Sequence, residues 1–234
     1  MPTKTVFIDS DKASIEVRLG YTKSTTTTAP AIIISHPYGP LGGNIYNNVV
    51  MALQKSLMNK GFTTASLNFR GCGNSTGKTS WTGLPEQKDY QAVVNYLLTN
   101  NDIRQDYPTI SHLVICGYSY GSMIAASIRE SRVPTSYVLI SYPLRVIWAL
   151  STTKMFYFKS QANQLLQSSS CPVLLIYGDQ DQFTGIRAYR SWLSTITSDK
   201  VDNRVIKDSD HFWMDNENQL IDEIHSWLSV TIQQ

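Results

Sequence analysis

The sequence predicts an α/β fold with a doubly wound, mostly parallel sheet and an N-terminal antiparallel hairpin. Three observations carry this expectation. Short apolar runs alternate with helix-length segments from Ala31 onward, the first twenty residues show period-two alternation instead, and nothing resembling a linker or repeat interrupts the 234 residues.

In chain order, Thr5–Ile8 and Ser14–Leu19 alternate in polarity around Asp9-Ser10-Asp11-Lys12, which predicts two strands and a turn. The threonine-rich tract from Thr22 to Ala29 is expected to be a polar loop. Ala31–Ile34, Leu113–Cys116, Tyr137–Ile140 and Val173–Tyr177 are short and apolar, the mark of strands covered on both faces, Thr64–Phe69 fits a further strand of the same sheet, and Arg204–Lys207 is expected to be the last strand. Between them, Ile45–Asn59, Glu86–Asn100, Tyr120–Glu130, Ile186–Thr197 and Glu217–Val230 carry helix-spaced apolar residues, with Pro85 suited to a first helical turn. Residues 1–234 are therefore read as a single domain. The stretch 144–170 breaks the rhythm, and with its Met155-Phe156-Tyr157-Phe158 cluster it reads either as a small lid or as a crossover helix.

Composition narrows the function. Twenty basic and 18 acidic residues are scattered to a net charge of +2, which offers no footprint for nucleic acid or an anionic membrane. The first residues lack a secretory apolar run and no apolar stretch spans a bilayer, so no membrane span and a cytoplasmic location are expected. Cys72, Cys116 and Cys171 form no CxxC pair, so neither a metal site nor a disulfide framework is expected, and no cofactor is called for.

The chemistry centres on Gly117-Tyr118-Ser119-Tyr120-Gly121. A strand before it and helix-forming residues after it supply the setting in which a tight turn lifts a serine hydroxyl clear of a sheet, and the two glycines let strand and helix approach. A serine hydroxyl needs a base, and that base an orienting acid. His36 and His112 precede the serine and His225 lies within a helix pattern, which leaves His211, on a loop between the last strand and last helix. The loop after Val173–Tyr177 offers two acids, Asp179 and Asp181, which spacing alone does not separate. An oxyanion needs backbone amides, one from Tyr120 and one from the loop His36-Pro37-Tyr38-Gly39-Pro40, where the prolines leave Tyr38 or Gly39 as donor. Gly73–Thr79 approaches a phosphate-binding P-loop, but Cys72 occupies the position of its first glycine and no helix can open at Ser80–Pro85.

These blocks together resemble the α/β-hydrolase superfamily, and within it a compact, nearly capless branch of small serine hydrolases. The resemblance rests on His36-Pro37-Tyr38 with Gly42-Gly43-Asn44, on Asn68–Gly77, on Glu86 with Asp89, on the serine turn, on Gly178–Asp181 and on Ser209–Phe212. It implies the α/β-hydrolase fold with at most a small lid, Ser119 as nucleophile, Asp181 as the acid and His211 as the base. It also implies Tyr38 as the first oxyanion donor, His36 as a loop-positioning residue, and the glycine-rich loop as a sheet-edge turn. The function so implied is cleavage of a carboxylic ester or thioester of a small-molecule acyl substrate. Acyl transfer to an amine, alcohol or peroxide and a non-catalytic ligand receptor are the alternatives. Tyr118, Tyr120, Tyr142 and the 155–158 cluster are expected to line an apolar pocket for medium or aromatic acyl groups.

Overall fold

The computed structural model describes residues 3–21, 27–100, 107–168 and 170–232. Strands β1 (Thr3–Ser10) and β2 (Ala13–Gly20) form the hairpin, and Asp11 and Lys12, both at positive φ (33° and 69°), make the two-residue turn that matches strand twist. The turn is tighter than the four residues expected, because Asp9 and Ser10 remain paired with Ser14 and Ala13.

β2 runs antiparallel to β4 (Thr63–Leu67), and from there β3 (Thr28–Ser35), β5 (Thr109–Tyr118), β6 (Thr135–Ile140), β7 (Val173–Gly178) and β8 (Val201–Ile206) are parallel. The spatial order is β1-β2-β4-β3-β5-β6-β7-β8 in one eight-stranded sheet. The expected polar loop gives way to strand at Thr28, and its residues 22–26 lie outside the described residues.

The apolar runs split by alternation between two cores. Ile33, Ile115, Leu139 and Leu175 face one side, with α2 (Leu84–Thr99), α3 (Tyr120–Ala125), α5 (Met155–Ser168) and α6 (Ile186–Leu193). Ile32, Ile34, Cys116, Val138 and Ile176 face the other, with α1 (Asn48–Asn59) and α7 (Glu217–Thr231). Burial on both faces is why these strands carry no polar alternation.

Two helices are shorter than expected. α3 stops at Ala125 because Ser127 Oγ turns back to the Ile124 carbonyl and Arg129 Nη1 donates to the carbonyls of Ala126 and Ile128, diverting the groups that would extend the helix. α6 stops at Leu193, where the hydroxyls of Ser194 and Thr195 bond back to the carbonyls of Ser191 and Trp192. Within the 144–170 stretch, residues 147–168 are helical: α4 (Ile147–Ser151), a short 3₁₀ turn at Thr152–Lys154, then α5, which packs Phe158, Ala162, Leu165 and Leu166 into the first core.

Candidate active site

The carboxyl ends of β5, β7 and β8 bring the candidate residues together. Ser119 follows β5 directly, at φ 55° and ψ −117°, a conformation that costs a non-glycine residue about 1–3 kcal/mol. Its amide donates to the Ile140 carbonyl at 2.9 Å, and its carbonyl accepts from Ser122 at 2.9 Å, which fixes the turn at both ends. The flanking glycines are sterically required. A Cβ on Gly117 would stand 2.2 Å from the Gly121 carbonyl oxygen, and one on Gly121 2.6 Å from that of Ser35.

His211 Nε2 lies 2.8 Å from Ser119 Oγ, and its Nδ1 lies 2.8 Å from Asp181 Oδ2. The second carboxylate oxygen, Oδ1, accepts from the amides of Phe183 and Thr184, both at 2.9 Å. With Asp181 accepting at both oxygens, Nδ1 carries the hydrogen and Nε2 is left to accept from the serine. All three residues are buried.

The structure separates the two acids that spacing left open. Asp179 is anchored through its amide to the Ile206 carbonyl, and its Oδ1 is buried without a hydrogen-bond partner among the described residues. Asp210 caps the following turn, accepting from the amides of Phe212 and Trp213, and Asp208 is exposed. The remaining histidines lie elsewhere: His112 against Ser136 Oγ at 3.0 Å, and His225 on α7 against Ser56 Oγ at 3.3 Å.

His36 holds the neighbouring loop. Its Nδ1 donates to the Pro37 carbonyl at 2.6 Å and its Nε2 accepts from the Phe69 amide at 3.1 Å, while burial pushes its pKa down to about 4. The loop then turns through Tyr38, whose carbonyl accepts from Leu41 and Gly43, into a 3₁₀ turn at Gly39–Leu41. The Tyr38 and Tyr120 rings meet at 5.2 Å, and the Tyr120 amide, first in α3, has no partner within the helix.

The glycine-rich loop is a turn closed by side chains. Glu16 accepts from Asn68 Nδ2 at 2.6 Å and from the amide and side chain of Asn74, and a Cβ on Gly73 would meet Asn68 Nδ2 at 2.0 Å. Glu86 instead ties down the following segment, accepting from the Ser80 amide and hydroxyl, and Asp89 pairs with Arg70.

Several supports escaped sequence reasoning. Gln182 Oε1 accepts from the His211 amide at 3.1 Å, Tyr118 OH donates to the His211 carbonyl at 2.6 Å, and Trp213 Nε1 donates to Ser141 Oγ at 3.0 Å. Phe183 packs edge-on to the His211 ring at 4.4 Å.

A cavity of about 150 Å³ opens over Ser119 and His211, walled by Tyr38, Tyr118, Val146, Leu150, Phe183 and Phe212 among others. Tyr118 is there as expected. Tyr120, Tyr142 and Phe158 are not; they face the first core, since aromatic character does not specify which side of a helix or strand end a ring occupies. Among the described residues no cluster of His, Cys, Asp and Glu is placed to hold a metal ion, and no helix is long and apolar enough to cross a membrane.

The arrangement can activate a hydroxyl beside backbone amides, and its relatives share its frame. An uncharacterized protein of Rickettsia prowazekii is 27% identical over 97% of this chain and 89% of its own. A Xanthomonas campestris structure described as an α/β serine hydrolase without lid superposes at a TM-score of 0.75, with 23% identity over 98% of this chain and 95% of that one. Est1E from Butyrivibrio proteoclasticus, with ferulic acid bound, gives a TM-score of 0.77 at 17% identity, covering 98% of this chain and all of its own. A sequence model of the X-Pro dipeptidyl-peptidase (S15) family matches residues 11–149, more than half of the sequence. The chain belongs to that S15 family and is an α/β-hydrolase superfamily member.

Proposed function

We propose that the protein cleaves a carboxylic ester or thioester through an acyl-serine intermediate. The observation that carries this reading is the unbroken series Asp181 Oδ2, His211 Nδ1, His211 Nε2, Ser119 Oγ, with 2.8 Å at each junction. Ser119 Oγ attacks the acyl carbon as His211 Nε2 takes its proton, and Asp181 stabilises the imidazolium. The amides of Tyr38 and Tyr120 receive the oxyanion. His211 returns the proton to the leaving alcohol or thiol, then activates the water that releases the acid.

Cavity size refines the substrate. About 150 Å³ corresponds to roughly five waters of liquid volume, less than the pockets that hold drug-sized ligands. This supports a short acyl group over the medium or aromatic one that composition suggested. The family match favours a second reading, peptide cleavage after proline. A dipeptidyl substrate presents an α-ammonium, and none of the described residues lining the cavity is a carboxylate to pair with it, so the ester reading is preferred.

We read the chain as one domain, since every described strand joins one sheet, and α4–α5 as a fixed cover whose inner side is core. The test is covalent labelling by a fluorophosphonate together with turnover of p-nitrophenyl acetate. Wild type should label and turn over, and Ser119→Ala should do neither. A protein that neither labels nor cleaves acetyl esters, yet releases X-Pro dipeptides, would shift the assignment to the second reading.

A further inference from the structure

The outer side of the α4–α5 cover differs chemically from the rest of the surface. Ile147 and Leu150 of α4 and Phe158 of α5 point into the core, which turns Trp148 (64% exposed) and Phe156 (77% exposed) toward solvent. Trp81, 74% exposed, joins them because Thr152 Oγ1, between the two helices, donates to the Trp81 carbonyl at 2.8 Å. The inner side being filled, these rings have no core position to occupy.

The charged side chains of the cover are of one sign. No Asp or Glu occurs from residue 131 to residue 178, whereas Arg145, Lys154 and Lys159 fall within the cover, and none of the three forms an ion pair among the described residues. Lys78, exposed, lies three residues before Trp81. Asp210, Asp215 and Glu217 lie outside the cover, on the His211 loop and at the start of α7. Two larger grooves, about 850 and 560 Å³, involve α1 and α7 and include none of the three exposed rings.

We propose that the outer face of α4–α5, with Trp81, docks on an anionic phospholipid surface, through a local patch that the scattered overall charge did not reveal. Aromatic rings seat at the boundary between headgroups and acyl chains, and unpaired Lys and Arg side chains take the lipid phosphates. α4 is then a shared wall: Trp148 faces the lipid, while Val146 and Leu150, on the side of the cavity, line the space over Ser119. Docking would bring acyl esters held at that surface beside the cavity. This last consequence rests on the hydrolase reading, but the docking itself does not.

The test uses full-length Ser119→Ala protein, sedimented with vesicles of phosphatidylcholine alone or mixed with phosphatidylglycerol. Binding is expected to the mixed vesicles only, falling as salt is raised. Arg145→Gln with Lys154→Gln should weaken it roughly thirtyfold, and Trp148→Ser with Phe156→Ser at least tenfold, each with an unchanged thermal unfolding curve. Failure to sediment with either vesicle, equal binding to both, or indifference to the aromatic pair would overturn the proposal. So would self-association abolished by the aromatic pair, which would assign the face to a second copy of the chain. Fluorophosphonate labelling of wild type in solution tests the hydrolase reading separately, so the two can fail independently.

Discussion

His36 Nε2 accepts the Phe69 amide hydrogen, and this one bond ties the loop carrying Tyr38 to the segment just beyond β4. Protonating His36 removes the acceptor and places a charge where no water reaches. Its folded pKa, about 4, lies below the ordinary 6.5, so its contribution to stability is complete above pH 6.5 and is lost as pH falls from there toward 4. The loss approaches about 3 kcal/mol. Denaturant unfolding across that window should show the slope in wild type and much less of it in His36→Gln. His112 and His225, shifted in the same direction by burial, leave a residual slope. Equal slopes in the two proteins would rule His36 out as the source.

Gly117→Ala and Gly121→Ala place a methyl against backbone at 2.2 and 2.6 Å, with no flexible side chain to yield. Each should cost about 3 kcal/mol, roughly a 6–12 °C fall in Tm for a chain of this size. Gly61→Ala is the comparison. Nothing lies within 4 Å of its new Cβ, so only the strain of φ 86° remains, about 1–2 kcal/mol. Thermal unfolding of the three variants checks the order.

Asp181→Asn preserves shape but offers the His211 ring a donor where it needs an acceptor. The expected loss in kcat is about 10⁴-fold. Asp179→Asn should leave kcat within a few-fold and leave stability equal or higher, because the buried Oδ1 it alters has no partner to lose. Steady-state turnover of p-nitrophenyl acetate and a Tm for each variant decide it. The opposite ranking would move the acid to Asp179.

What was legible in the sequence was what local chemistry dictates. The serine turn declares itself through two glycines and its place after a strand, and chain order then selects His211. Elements followed the same rule, since apolar runs marked the strands within a few residues, and α1, α2 and α7 appeared nearly at their bounds. Supports that join distant segments were silent: Tyr118 reaches His211 across 93 residues and Trp213 reaches Ser141 across 72, and a hydroxyl or indole advertises no partner. Side-chain capping was silent too, as the early end of α3 at Ala125, with Arg129 bonded to the carbonyls just beyond it, shows. Tyr120, Tyr142 and Phe158 missed the pocket for a related reason. The Tyr142 ring packs at a tilt against Trp192 at 5.0 Å, a contact that only the folded position of α6 creates.

Asp89 carries a separate prediction, about stability alone. It is fully buried, receives Arg70 through Nη2 at 2.6 Å and Nε at 3.0 Å, and also accepts from the Ser10 hydroxyl at 2.8 Å. Asp89→Ala strands a largely buried guanidinium and should cost about 3–5 kcal/mol. Denaturant unfolding is the measurement. A cost below 1 kcal/mol would mean that solvent reaches Arg70 once its partner is gone.

Leu150 offers the sharpest probe of the cavity over Ser119, because it stands on α4 with its side chain against both the cavity and the core. Leu150→Ala removes three carbons from that wall. The stability cost should lie near 2 kcal/mol, the low end for such a truncation, since the residue is not fully enclosed. The catalytic effect should be selective. Acetyl ester turnover falls little, while the ratio of kcat/KM for hexanoyl over acetyl esters rises about tenfold, the gain of burying one or two further methylenes. Phe183→Ala enlarges the same cavity but also strips the His211 ring of its edge contact, so it should lower kcat for both esters. If Leu150→Ala instead lowers both esters equally, α4 serves to hold the Ser119 turn, and acyl length is set by another wall.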